Sequence, residues 1–153
     1  NPNEAYSFNG VNSYIDCSSN QRSISSTVTV SAWVKTTTMG LQFIVSKYDW
    51  TVDKGFHLFI QNGTAQVAGR NNGGLYVTTN NSSSANILVA DGNWHFVMAE
   101  VSGNSWKVWV DCVLNNSVIS NSSVPSLINT GPLSIGNYIQ GTTAGNQLFF
   151  NGA

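Results

Sequence analysis

The feature that most constrains the fold of this chain is a two-residue alternation of apolar and polar side chains in many short segments. In the segment VTVSAWVK, every second residue from Val28 to Val34 is apolar, and Trp33 falls on the opposite side. In GFHLFIQ, Phe56, Leu58 and Ile60 share one side. This period is typical of half-buried β-strands, and no segment has the period of an amphipathic helix.

The alternation predicts about ten short strands separated by turns. The pairs Asn62-Gly63 and Gly103-Asn104 have the composition and spacing of tight hairpin turns. The predicted strands are Ala5–Phe8, Ser13–Asp16, Thr27–Lys35, Phe43–Lys47, Phe56–Gln61, Thr64–Gly69, Leu75–Thr79, Trp94–Ser102, Trp106–Val110, Leu133–Ile139 and Gln147–Phe150. Many short strands without helices predict an antiparallel sandwich or barrel.

The composition limits the classes of partner. Charged residues make up 8% of the 153 residues, against roughly a quarter in an average protein. The net charge of -1 gives no basic surface for nucleic acid, and no apolar run approaches the roughly 20 residues of a membrane helix. We expect one domain over residues 1–153, with a neutral surface rich in Asn, Ser, Thr and Gly that suits an extracellular setting.

The order of the segments resembles a known family. The segments AYSFNGVNSYID, TVTVSAWVKT, IVSKYD, GFHLFIQNG, DGNWHFVMAEV, WKVWVDCVL and LSIGNY look like those of the laminin-G-like, concanavalin A-like domains of secreted proteins, from Ala5 to Ala153. The resemblance implies an all-β fold, a jelly-roll sandwich of two antiparallel sheets, in agreement with the strand prediction.

Two departures from the family pattern stand out. Many relatives carry acidic residues around a calcium ion in the first-strand motif, where this chain has Asn9 and Asn12. Relatives also continue past the motif FNGA with a final strand, whereas this sequence stops at Ala153. Three explanations stay open: the sequence is a piece of a longer chain, a neighbouring subunit supplies the strand, or the variant closes without it.

Two cysteines in a chain of extracellular character suggest one disulfide. Cys17 and Cys112 each follow an Asp at a predicted strand end, and the resemblance implies Gly at position 112. A bond between them would close a long loop and add about 4–5 kcal/mol in the chain-entropy account of disulfides. The alternative is two buried thiols.

The superfamily includes glucanases, which need two carboxylates facing each other across a cleft. No Glu-x-Asp-x-x-Glu arrangement occurs, Asp91 fits the first position of a turn, and His57 and His95 lie inside strand patterns. The acidic residues are Glu4, Asp16, Asp49, Asp53, Asp91, Glu100 and Asp111. We therefore expect no enzyme activity.

The segment SKYDWTVDKG is the predicted ligand-binding loop. It brings Tyr48, Asp49, Trp50 and Asp53 together where the strand pattern breaks, and Tyr76 could extend the face together with Asn71 and Asn72. The resemblance allows Asp49 and Asp53 to bind calcium; no other cofactor is expected. The alternative is that Trp50 folds back over the edge of the sandwich. Packing roles are expected for Trp33, Trp94, Trp106 and Trp109.

Five asparagines begin an Asn-x-Ser/Thr triplet and are candidates for N-glycosylation. They are Asn62, Asn80, Asn81, Asn115 and Asn121. Chance predicts a similar number at this composition, so the triplets alone do not settle the source.

These observations favour a non-catalytic extracellular module with a structural or adhesive role. Its expected partner is another copy of the chain, or a strand of another protein, at an open sheet edge, which would allow a filament to form. The alternative is a carbohydrate-binding, lectin-like module, to which the resemblance would allow a calcium ion. Such a module could also be an accessory domain of a larger secreted enzyme.

Overall fold

The computed structural model describes residues 4–18, 24, 26–49, 51–70, 76–79, 87–120, 127–138 and 148–153. Within these ranges the regular structure consists of β-strands, and no helix could span a membrane. The strands are β1 (Phe8–Asn9), β2 (Ile15–Asp16), β3 (Thr27–Val34), β4 (Gln42–Asp49), β5 (Lys54–Gln61), β6 (Thr64–Arg70), β7 (Tyr76–Thr78), β8 (His95–Ser102), β9 (Ser105–Val110), β10 (Val113–Ile119), β11 (Leu133–Ile135) and β12 (Asn151–Gly152).

Two antiparallel sheets and one short ribbon organise these strands. The four-stranded sheet has the order β10-β9-β8-β3, the six-stranded sheet has the order β2-β11-β4-β5-β6-β7, and β1 pairs with β12. The neighbours β3 and β8 are far apart along the chain, as are β11 and its partners β2 and β4. Such crossovers are typical of jelly rolls, so the predicted all-β sandwich is confirmed.

The core lies between the two sheets. The inward positions of β8 and β9 are fully buried, with Trp106 at 0% exposure as the largest side chain, and Phe56, Leu58 and Ile60 face them from β5. The alternation predicted for these strands is therefore the alternation of core and surface. A second buried cluster groups Phe43, Tyr48, Phe59, Ala68 and Tyr138.

Strand β10 was absent from the sequence prediction. Its pairing with β9 shifts register between Leu114 and Asn116, and Asn115 and Asn116 occupy buried positions. A bulge and two buried amides break the two-residue pattern, so the periodicity gives no signal there. The end of the chain also differs: Gln147 lies outside the described residues, and Leu148–Phe150 precede β12 rather than forming a strand.

Both predicted hairpin turns are present. Asn62 and Gly63 connect β5 to β6 with φ angles of 53° and 74°, and Gly103 has φ 59° in the turn between β8 and β9. Asp111 and Cys112 form a third such turn between β9 and β10, with φ angles of 50° and 67°. Positive φ at both central residues fits the twist of a two-residue hairpin.

The predicted disulfide between Cys17 and Cys112 is wrong, because no bond joins them. Cys17 follows β2 at one edge of the six-stranded sheet, whereas Cys112 lies exposed at the end of β9. Strand β9 packs against β6, and β6 is four strand positions from β2. At about 4.8 Å per position, this separation is far beyond the roughly 7 Å Cα limit for a disulfide.

Candidate functional site

The predicted loop places Asp49 at the end of β4, and its carboxylate is engaged. One oxygen accepts hydrogen bonds from the Thr51 amide at 2.9 Å and the Thr51 hydroxyl at 2.6 Å, and the other accepts from the Thr130 hydroxyl at 2.8 Å. The Thr51 hydroxyl is the main cause that lowers the pKa of Asp49 below its usual value. Asp49 is buried, so its carboxylate holds two chain segments together.

The other predicted residues of this region form a chain of contacts. The buried Tyr48 donates its hydroxyl hydrogen bond to Asp53, and Arg70 Nε pairs with Asp53 at 3.0 Å. The Arg70 guanidinium lies 5.6 Å from the ring centroid of Tyr76, which is exposed. Burial, and then the hydrogen bond to Asp53, raise the pKa of Tyr48 above its usual value. Trp50, Asn71 and Asn72 lie outside the described residues.

Sequence reasoning missed Arg70 in this cluster. Arg70 could be recognised only from its position, because it is the last residue of β6 and stands opposite Tyr76 in the β6–β7 register. The strand prediction contained both residues in adjacent segments, but a register is needed to pair them.

Asp49 and Asp53 do not fit a calcium site. Calcium takes six to eight oxygen ligands, whereas these two carboxylates serve separate partners, Thr51 and Thr130 in one case and Tyr48 and Arg70 in the other. Among the described residues no group of three His, Cys, Asp or Glu side chains could hold a metal ion.

The first-strand motif does not fit a calcium site either, because backbone amides of the motif already bind its side-chain oxygen. The side-chain oxygen of Asn9 accepts hydrogen bonds from the amides of Val11, Asn12 and Ser13, at 2.9, 3.0 and 3.1 Å. These three amides use the oxygen that a bound cation would need.

The two histidines occupy contrasting environments. His57 is buried and contacts Ser46 Oγ through Nδ1 at 2.9 Å, and burial lowers its pKa to about 3. His95 lies between Asp91 at 3.0 Å and Asp111 at 2.7 Å. Partial burial opposes the charge on His95, but the two carboxylates outweigh it and raise its pKa.

Only part of the expected tryptophan packing is found. Trp106 is in the core, whereas Trp33 is 64% exposed and Trp94 is 44% exposed, and Trp109 is half-buried. The packing prediction is wrong for Trp33 and Trp94 because these side chains stand on the outer side of the four-stranded sheet or just before β8.

The glycosylation candidates divide by burial. Asn62 is exposed in the β5–β6 turn. Asn115 is 1% exposed; its amide nitrogen donates to Ala65 O at 3.2 Å and its oxygen accepts from Ile87 N at 2.7 Å. A glycan needs a solvent-facing amide, so the prediction for Asn115 is wrong. Asn80, Asn81 and Asn121 lie outside the described residues.

An antiparallel pair of backbone hydrogen bonds lies just beyond the end of β3. The amide of Lys35 donates to Ala153 O at 2.7 Å, and the amide of Ala153 donates to Lys35 O at 3.0 Å. On the other side, Asn151 and Gly152 pair with Asn9 and Phe8 of β1. The segment from Asn151 to Ala153 therefore runs between β1 and the end of β3.

Two cavities adjoin β3 near this contact, and Trp33 lines both of them. The outer one is an open groove of about 440 Å³ lined by Glu4, Ala5, Trp33 and Trp94. The inner one, about 70 Å³, is lined by Phe8, Ala32, Trp33, Val34, Ile44, Ile135, Gly136, Phe150 and Ala153. We call the space between Glu4–Ser7 and β3 the strand gap.

The burial along β3 is incomplete on its core side. Val28, Val30 and Ala32 are only partly buried, whereas Val97 and Val101 of the neighbouring β8 are at most 1% exposed. Since β3 pairs with β8 on one edge, and no strand pairs with its other edge among the described residues, the core is thinnest beside the strand gap.

A sandwich of two antiparallel sheets with these crossovers defines a lectin-like β-sandwich. The family profile of the concanavalin A-like lectin/glucanases superfamily (Laminin_G_3) matches residues 9–153. The chain therefore belongs to this family, as the resemblance predicted.

Similar solved structures agree on the fold. Domains LG4-5 of the mouse laminin alpha1 chain superpose with a TM-score of 0.70 at 19% identity, over 95% of this chain and 38% of that chain. The LG1-3 region of the laminin alpha2 chain gives 0.68 at 14% identity, over 95% and 29%. The chain thus spans well under half of these laminin structures.

A third similar structure is the CBM40 of the Ruminococcus gnavus IT-sialidase bound to alpha2,3 sialyllactose. It has a TM-score of 0.59 at 14% identity, over 83% of this chain and 70% of that one. No curated protein sequence matches the chain.

Proposed function

We propose that this chain is a non-catalytic extracellular recognition module with a structural or adhesive role. It binds a neighbouring chain that donates a strand, and this strand enters the strand gap and pairs with β3. The observation that carries the proposal is the pair of hydrogen bonds between Lys35 and Ala153. They form the first rung of an antiparallel ladder on the open edge of β3, and an open edge is a template for another strand.

The rung fixes which residues of β3 would receive the strand. Both backbone groups of a strand residue point to the same edge, and the edge alternates from residue to residue. Since Lys35 bonds away from β8, Trp33, Ser31 and Thr29 turn their amides and carbonyls to the open edge as well. The added strand would be antiparallel to β3, with alternate side chains facing the core beside Ala32 and Val30.

The inner cavity also supports the addition of a strand beside β3. Its lining is mostly apolar and it adjoins Val34 and Ala153. A volume of about 70 Å³ suits part of one aliphatic side chain from the incoming strand. Filling it would remove a void from the core, and such voids are costly in a close-packed interior.

The partner that we propose is a second copy of this chain. A contact in which one copy donates a strand and the next receives it is heterologous, so it extends into a filament unless the rotation closes a ring. The low charge of the chain places little electrostatic repulsion between copies.

The test is the molar mass of the protein by size exclusion with light scattering over a range of concentrations. We expect masses above the 16.4 kDa of one chain. Ser31→Pro removes an amide that faces the open edge and should shift the protein to the monomer, whereas Ser31→Ala keeps that amide and should assemble like the parent. A folded parent that stays monomeric at every concentration contradicts the proposal.

Carbohydrate binding is the second candidate function. It is favoured by large aromatic side chains that stand in solvent, Trp33 and Trp94 on one sheet and Tyr76 on the other. The sialyllactose-bound CBM40 shares the fold, which is compatible with this candidate. Screening a glycan array with and without calcium tests for carbohydrate binding. If no glycan binds, this candidate function is ruled out.

A further inference from the structure

The outer side of the four-stranded sheet carries aligned apolar side chains. Trp33 of β3 stands opposite Phe96 of β8, and Met98 of β8 stands opposite Trp109 of β9, which in turn stands opposite Leu114 of β10. Directly opposed residues in antiparallel strands share a face. We call these five residues the outer platform.

The outer platform is accessible. Trp33 and Leu114 are exposed, and Phe96, Met98 and Trp109 are partly buried. The rings of Trp33 and Phe96 are neighbours, with centroids 5.5 Å apart. The solvent face of an antiparallel sheet is normally polar, and a contiguous apolar surface marks a site of interaction.

A polar row runs directly beside the outer platform. Thr29, Glu100, Lys107 and Ser117 stand opposite one another in the register of β3, β8, β9 and β10. Glu100 and Lys107 approach to 4.0 Å and both are partly exposed. The Lys107 ammonium also lies 5.8 Å from the ring centroid of Trp109.

These two rows define the chemistry of a ligand. One carboxylate and one ammonium balance each other, so neither an anionic nor a cationic ligand is favoured. Aromatic faces pack against apolar C–H surfaces, while the polar row offers an acceptor, a donor and hydroxyls within the same footprint. A neutral ligand with apolar faces and many hydroxyl groups matches both rows.

The spacing sets the size of the ligand. Trp33 and Trp109 are two strand positions apart, which is about 10 Å across the sheet. A single sugar ring does not cover this distance, whereas a chain of several rings does.

We propose that the outer platform binds a neutral oligosaccharide that lies across β3, β8 and β9. The proposal rests on the second candidate function and gives it a site. It does not require strand addition, although Trp33 also lines the groove beside the edge of β3. The site is also distinct from the predicted loop at Tyr48–Asp53, which lies on the other sheet.

The experiment is isothermal titration of the monomeric fraction with neutral hexasaccharides of β-1,4-linked glucose, β-1,3-linked glucose, β-1,4-linked xylose and β-1,4-linked mannose. We expect at least one to bind, and Trp33→Ala and Trp109→Ala each to weaken it at least tenfold. Trp109→Phe should retain most of the affinity. Tyr14→Ala, which removes a 43% exposed aromatic ring beside β2 at the edge of the other sheet, is the matched control and should bind like the parent.

Two results overturn the proposal: no hexasaccharide binds the folded parent, or binding persists in Trp109→Ala. A parent that forms dimers which Trp109→Ala dissociates, with no hexasaccharide bound, assigns the outer platform to a protein contact instead. Trp109→Ala separates this proposal from strand addition, because it should lose the oligosaccharide affinity and keep the assembly that Ser31→Pro abolishes.

Discussion

Lys35 and Ala153 exchange both of their backbone hydrogen bonds, at 2.7 and 3.0 Å, although 118 positions (153 minus 35) separate them in the chain. This pair connects the end of β3 to the residues that follow β12. It gives the open edge of β3 a direction and a register, and the proposed strand addition depends on both.

The core prediction concerns Trp106. It is the largest fully buried side chain and fills the space between the sheets. Trp106→Ala should lower the free energy of unfolding by about 3–5 kcal/mol, measured by urea denaturation. Trp33→Ala is the matched control, and its exposed side chain should cost less than about 1 kcal/mol. Equal losses in the two variants would contradict the assignment of the core.

The turn at Cys112 gives a prediction of increased stability. Cys112 has φ 67°, and a left-handed conformation costs a non-glycine residue about 1–2 kcal/mol. Cys112→Gly should therefore raise the free energy of unfolding by about 1 kcal/mol.

The same variant checks the correction of the disulfide. Adding a reducing agent should leave the urea midpoint of the parent unchanged, and likewise that of Cys112→Gly. If reduction lowers the urea midpoint of the parent but not that of Cys112→Gly, the parent contains a disulfide between Cys17 and Cys112 and the correction is wrong.

His95 makes the free energy of unfolding fall as pH rises above the unfolded pKa of about 6.5. Its pKa is raised in the folded state by Asp111 and Asp91, so its stabilising contribution is complete below the unfolded value of about 6.5 and is lost as pH rises through the folded pKa. The difference in unfolding free energy between the parent and His95→Gln should therefore shrink from pH 6 to pH 8. A difference that is constant over this window would show that the carboxylates do not stabilise the charged form.

His57 has the opposite effect on the pH dependence of stability: it lowers the free energy of unfolding as pH falls. Its pKa is lowered to about 3 by burial, so the unfolded chain takes up a proton below about pH 6.5 while the folded chain does not. Stability should fall by about 1.4 kcal/mol per pH unit between pH 6 and pH 4, as measured by urea denaturation. A flat profile over this window would contradict the burial of His57 without a charge partner.

Calcium should not stabilise the described fold. The Asp49 and Asp53 carboxylates are already engaged by Thr51, Thr130 and Arg70, and a ligand that binds the folded state raises its stability. We expect the same melting temperature in excess calcium and in excess chelator, measured by differential scanning calorimetry. A rise with calcium that Asp49→Asn abolishes would show that the loop rearranges to bind the ion.

The sandwich could be predicted because its strands obey a simple periodicity. In β3 the residues that alternate from Val28 to Val34 do face the core, and the same pattern placed Trp33 on the opposite side. That opposite side already indicated an exposed Trp33, but tryptophan was expected to pack because it is large and apolar. The strand β10 could not be found in this way, since Asn115 and Asn116 fill buried positions through hydrogen bonds that alternation does not encode.

The candidate sites were predictable only in part. Contacts such as Asp53 with Arg70 and Arg70 with Tyr76 depend on strand register, which a single sequence does not supply. The outer platform depends on register in the same way, because its residues come from four strands.

Strand addition beside β3 is tested most directly by hydrogen exchange of single backbone amides, measured by NMR on the parent and on Ser31→Pro. In the assembled parent, the amides of Thr29 and Trp33 should be protected, because an added strand accepts their hydrogen bonds. In Ser31→Pro both should exchange rapidly, while amides of β3 that bond to β8, such as that of Val30, stay protected. Rapid exchange of Thr29 and Trp33 in the parent at every protein concentration would contradict the account.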